Sequence, residues 1–124
     1  MAVTAIRPSS VGPFAEACVA GNLIFTSGMA GCDLETGKVV GGDAASQARK
    51  ALENLQEILQ EAGSDFAHVV KVDIMTRRRF DADAIGKVYA EFFTDHQPAR
   101  CWKFVPEMIA PEFLVEIEMV AEKI

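Results

Sequence analysis

Residues 97–118 read QPARCWKFVPEMIAPEFLVEIE. Pro98 leads a segment in which Arg100 stands at the mouth of a strand. A second strand follows and carries Glu116 and Glu118 two residues apart. Strand side chains alternate between faces, so residues two apart share one. On that rule Phe113, Val115, Ile117, Met119 and Ala121 form an apolar face, and Leu114, Glu116, Glu118 and Val120 form the other. Arg100, Trp102 and Phe104 likewise share one face of the preceding strand. We expect that face to lie on the same side of the sheet as the two glutamates, although pairing register is not readable from one strand. A guanidinium and two carboxylates make a kit for holding a small carboxylate and moving protons, if they meet in space.

Upstream, residues 43–62 are the clearest helix. Ala48, Ala51, Leu52, Leu55, Ile58, Leu59 and Ala62 recur at three- and four-residue steps and form one apolar stripe. Asp43 is placed to cap its start and Gly63 to end it. The opposite face, with Arg49, Lys50, Glu53, Glu57 and Glu61, reads as a solvated surface. Residues 69–75 (VVKVDIM) alternate as a strand, and Arg77, Arg78 and Arg79 follow as an exposed strand end. Asp81 or Asp83 then caps a second helix running to Phe93, buried along Ile85, Val88, Tyr89, Phe92 and Phe93. Gly86 lies inside that helix at a cost of roughly 1 kcal/mol relative to alanine.

Nearer the N-terminus, residues 2–7 suit a first strand, and Pro8 to Pro13 force a loop. Residues 14–20 and 23–27 flank the turn pair Gly21-Asn22 and predict a hairpin. Gly28, Gly31 and Gly37 mark a long irregular connection without the spacing of a phosphate loop. The order is three strands, helix, strand, helix, two strands. It predicts an α+β domain over residues 1–124, with a mixed six-stranded sheet and both helices on one face. The uncovered face, bearing Glu116 and Glu118, then needs a partner, and self-association through it follows.

Composition narrows the function classes. The chain has 124 residues, half of them hydrophobic, and a net charge of −6. That balance argues against nucleic acid, which demands a basic face. No apolar run approaches the ~20 residues that span a bilayer, and MAVTAIRPSS lacks the apolar middle of a secretion signal. Cys18, Cys32 and Cys101 form no CxxC and no metal-ligand spacing. The odd count fits reduced thiols and a cytoplasmic setting. His68 and His96 have no ligand-like companions.

Several segments, in order, resemble the Rid family of reactive-intermediate deaminases, also called the YjgF family. They are VGPFAEA (11–17), NLIFTSGMAG (22–31), QARKALENLQEILQEAGSDFAHVVKVDIM (47–75), YAEFF (89–93), QPAR (97–100) and VEIEMVA (115–121). Together they cover nearly the whole chain. The resemblance implies a chorismate-mutase-like fold, a homotrimer with its sheets lining a barrel, and a site at each subunit interface. It implies hydrolysis of 2-imino acids or their enamine tautomers to 2-oxo acids and ammonia, with no metal and no organic cofactor.

Residue by residue, the resemblance makes Arg100 the clamp on the substrate carboxylate; a guanidinium offers a carboxylate two parallel donors. The residues alone leave a structural salt bridge from Arg100 to Glu116 or Glu118 equally open. Glu118 matches the glutamate beside the imine carbon, able to deprotonate water and return the proton to the departing amine. Glu116 is given a supporting part. Ser27 and Gly28 match a strand end that contacts the substrate carboxylate, and the backbone of Cys101 would polarise the imine nitrogen or the water. Three positions depart from the family pattern: Phe14 stands for a tyrosine, Gly86 for an asparagine, and Trp102 for a smaller residue, commonly cysteine. These departures keep two alternatives open, a non-catalytic small-molecule-binding protein and a deaminase of a larger amino-dienoate acid.

Overall fold

The computed structural model describes residues 2–124. Its elements in chain order are β1 (Thr4–Pro8), β2 (Ala15–Ala20), β3 (Leu23–Thr26), β4 (Met29–Ala30), α1 (Ala44–Ala62), β5 (Val69–Thr76), α2 (Ala82–Phe92), β6 (Ala99–Phe104) and β7 (Val115–Glu122). The sheet runs β1-β2-β3-β7-β5-β6, with β4 also paired to β7. Strands β3 and β4 lie along the same partner: Phe25 faces Val120 and Met29 faces Ile117. They are one strand interrupted at residues 27 and 28, so seven segments stand where the sequence predicts six strands. The interruption falls in the stretch read as irregular connection, and a two-residue strand is too short to announce itself by alternation. All pairings are antiparallel except β5–β6, which the α2 crossover makes parallel.

Gly21 adopts the left-handed conformation, φ 61°, and Ala20 pairs with Leu23 across it. A two-residue hairpin turn needs that geometry, and glycine reaches it without steric cost. Asp43 accepts from the Ser46 amide at 2.9 Å, and left-handed Gly63 closes α1 with its amide on Gln60. The cap expected on α2 is absent. Asp81 instead receives two hydrogen bonds from Arg78, at 2.7 and 3.2 Å, which occupies both carboxylate oxygens.

Both helices pack on one face. The stripe of α1 is fully buried against Val115, Ile117, Met119 and Ala121 of β7 and Val72 and Ile74 of β5. Leu114 departs from the expected alternation: it precedes β7 and joins the core. Its amide donates to Oε1 of buried Gln47 at 2.8 Å, while Nε2 of Gln47 donates to the carbonyls of Gly41 and Glu112. One side chain on the apolar stripe thus ties two loops to α1. The α1 surface is more structured than simple solvation: Arg7 bonds Glu57 and Glu61, and Arg49 holds Glu91 of α2 by two hydrogen bonds. Such exposed pairs contribute at most about 1 kcal/mol each. Among the described residues no helix is long and apolar enough to cross a membrane.

Candidate active site

Register decides which side chains share a face. β5 and β6 pair Val72 with Arg100, Ile74 with Trp102 and Thr76 with Phe104. Val72, Ile74 and Thr76 are buried under the helices. Arg100, Trp102 and Phe104 therefore point to the helix side, which corrects the expectation that they share the open side with the glutamates. The parallel register set by the α2 crossover places them there. Trp102 confirms the face by donating from Nε1 to Thr76 Oγ1 at 2.9 Å.

Two groups result. The first lies at the edge of the helix layer. The Arg100 guanidinium sits 5.1 Å from the ring of Tyr89 and 5.2 Å from that of Trp102. None of the ion pairs among the described residues involves Arg100. A salt bridge to Glu116 or Glu118 is ruled out within the chain, because those side chains leave the other face. Arg100 instead walls a pocket of about 480 Å³ with Gly86, Tyr89, Ala90, Phe93, Gln97 and Pro98. Two flanking aromatic faces hold the cation without neutralising it, so its donors remain available to an anion. Sequence reasoning took Tyr89 and Phe93 as core alone. Nothing in the sequence sets the Arg100 segment beside α2, so nothing marks them as pocket walls.

The second group lies on the open face. Glu118 stands opposite Asp73 on β5, and Glu116 opposite Met75. A small recess there is lined by Gly28, Asp73, Met75, Lys103, Glu116 and Glu118. Cys101, paired with Asp73, is half-buried on this side. Ser27 is fastened to β2: its hydroxyl donates to the Ala15 carbonyl at 2.7 Å and its amide to that of Glu16 at 2.8 Å. Its hydroxyl proton is committed, and its lone pairs remain. Phe14 precedes this anchor and is half exposed. A methyl placed on Gly28 would fall 2.2 Å from Oε1 of Glu116. The Glu116 carboxylate thus leans directly over Gly28.

Burial pushes the Glu116 carboxyl above its ordinary value, and the neighbouring charge of Glu118 adds to the shift. Asp73, unmentioned by sequence reasoning, adds a further acid to this cluster. The sign of the consequence is definite. A carboxyl whose folded value is raised stabilises the fold below the ordinary carboxylate range, and that contribution is lost as pH rises through the raised value. Glu116→Gln is therefore expected to melt above the parent protein at about pH 7.5 and to show no advantage near about pH 4. Thermal melts across that range check it; an advantage that is the same at both ends would refute the assignment. Buried Glu16 is also pushed up by burial, with Arg7 opposing the shift.

In one chain, then, Gly86, Arg100 and Trp102 lie on one side of the sheet. Ser27, Gly28, Cys101 and Glu118 lie toward the other. No group of three or more His, Cys, Asp or Glu residues suited to a metal ion occurs among the described residues.

Comparison with known proteins agrees with this architecture. The family model described as Endoribonuclease L-PSP matches residues 4–123. A RutC family protein of Pyrococcus abyssi is 36% identical over 116 residues, covering 94% of this chain and 91% of the relative. The human 2-iminobutanoate/2-iminopropanoate deaminase is 34% identical over 118 residues, covering 95% and 85%. The crystal structure of the Rid-family protein YyfA of Yersinia pestis, of unknown function, superposes with a TM-score of 0.91 at 28% identity, covering 98% and 99%. With the same helix-backed sheet and a match over nearly its whole length, the chain belongs to the Rid (YjgF-type) family, which the Endoribonuclease L-PSP model describes.

Proposed function

We propose that this protein hydrolyses 2-imino acids, or their enamine tautomers, to 2-oxo acids and ammonia. The observation that carries the reading is Arg100, a guanidinium at the wall of a pocket with no carboxylate paired to it among the described residues. Relatives named as imine deaminases, about a third identical to this chain, supply the reaction class. In the proposed reaction Arg100 clamps the substrate carboxylate through two parallel donors. Glu118 takes a proton from water as the water oxygen bonds to C2 of the iminium, which gives a carbinolamine. It returns that proton to the amine, takes up the hydroxyl proton as the C2–N bond breaks and the carbonyl forms, and passes this second proton to the released ammonia. The products are a 2-oxo acid and ammonium. An iminium is already electrophilic, so position and one proton shuttle suffice, and the scheme calls on no metal or cofactor. The free outer edge of β6 leaves backbone groups beside Cys101 unpaired, available to the water or the imine nitrogen. Phe14, Ser27 and Gly28 close the carboxylate end.

Because Arg100 and Glu118 leave opposite faces of the sheet, this chemistry requires two copies. The clamp of one chain meets the open face of another, in a homotrimer. The net charge of −6 disfavours RNA as the substrate, despite the family model's description. The test supplies imines in situ from an amino-acid oxidase and follows 2-oxo acid and ammonia release. Acceleration over the uncatalysed hydrolysis is expected. Tight carboxylate binding without turnover across several imines would make this a binding protein instead. Sedimentation showing a monomer at micromolar concentration would overturn the shared site.

A further inference from the structure

The pocket beside Arg100 is larger than a short imino acid requires, and Gly86 forms part of its wall. This inference rests on the reading of Arg100 as a carboxylate clamp. The pocket volume of about 480 Å³ falls within the roughly 300–1,000 Å³ that encloses drug-sized ligands. An acid with a methyl or ethyl side chain would occupy only a small part of the space that this chain offers. Around the guanidinium the walls are the rings of Tyr89 and Phe93, the ring of Pro98 and the methyl of Ala90. A Cβ built on Gly86 meets nothing within 4 Å. Glycine is therefore not demanded there by backbone crowding, and its backbone is not in the left-handed region. What it does is leave the α2 side of the pocket open, at a helix position where it is locally unfavourable. Beyond the guanidinium, this chain's walls of the pocket are mostly apolar or aromatic.

We propose that Gly86 is the specificity-determining residue of this site, and that the site accepts imino acids with bulky apolar or aromatic side chains. The carboxylate lies on Arg100, and the side chain runs along α2 over Gly86 against Tyr89 and Phe93. Burying a leucine- or phenylalanine-sized group should favour such acids at least ~10-fold over a methyl-bearing one. Gly86→Leu fills that space.

The experiment reads binding and turnover separately. Calorimetric titration of the protein with acetate, 4-methylpentanoate and 3-phenylpropionate measures the size preference without requiring catalysis. Hydrolysis of the imines of alanine and phenylalanine measures the same preference as a ratio of kcat/KM. The wild type is expected to favour the larger acid at least ~10-fold in both, and Gly86→Leu to lower the ratio ~10-fold, with Gly86→Ala intermediate. A size preference in binding that Gly86→Leu removes, with no imine hydrolysed, upholds the pocket and rejects the deaminase reading. Imines hydrolysed without size preference, or a ratio indifferent to both substitutions, overturns the pocket and leaves the deaminase standing. Since the wild-type size series already decides the preference, failure of Gly86→Leu to fold would not shield it.

Discussion

Arg100→Ala is expected to lower kcat/KM for imine hydrolysis by ~10²–10³-fold, the loss of a bidentate, charge-assisted pair. The fold should scarcely register the change. Arg100 has no ion pair among the described residues, and what it gives up is its placement over Tyr89 and Trp102, worth about 0.5–1 kcal/mol at an exposed site. Sedimentation should be unaltered. Arg100→Lys separates charge from geometry: an ammonium retains the attraction but loses the planar fork, so it should recover only part of the rate. Initial rates across substrate concentration, with melting and sedimentation as controls, decide the matter. Undiminished rates in Arg100→Ala would remove the clamp, and with it the principal support for the proposed reaction.

The largest expected effect on stability lies at Gly31, far from any proposed chemistry. A Cβ there would sit 2.4 Å from both Cα and O of Gln47 and 2.6 Å from its Cβ. Those are mostly backbone atoms of α1, which cannot swing aside as the tip of a flexible side chain can. Gln47 is also the residue whose three hydrogen bonds hold the loops at Gly41 and Glu112–Leu114. Gly31→Ala therefore forces α1 away from β4 and loosens those bonds together. Overpacking with strained buried hydrogen bonds should cost about 3 kcal/mol. Gly42→Ala is the matched control: its added Cβ meets nothing within 4 Å, and the change should remain within about 0.5 kcal/mol. Urea unfolding of the two variants tests the contrast. Equal stabilities would show that α1 yields at this contact.

Much of the fold is legible in the chain because its signals are local. The stripe of α1, its caps at Asp43 and Gly63, the Gly21-Asn22 turn and the alternation of residues 115–121 each depend on neighbours a few positions away. The Rid resemblance ordered these pieces correctly. The misses share one cause, dependence on remote partners. Asp81 offers an apparent cap, but Arg78 takes both its oxygens. Gln47 carries no local signal of its role, yet it is a buried hub for loops distant in sequence. β4 exists because β7 continues past the interruption at Ser27 and Gly28. For the candidate site, the sequence offers residues but not their company. Tyr89 and Phe93 turn from core residues into pocket walls only when α2 is laid beside Arg100.

The sequence by itself determined that Glu116 and Glu118 share a face and that Arg100, Trp102 and Phe104 share one. Alternation is a property of a single strand. Only the tertiary structure decided that these faces are opposite. That outcome depends on the register of β6 against β5, where a slip of one residue would exchange every side chain between the two sides of the sheet. The arginine and the glutamates, close together in residues 97–118, are thereby separated by the thickness of the sheet.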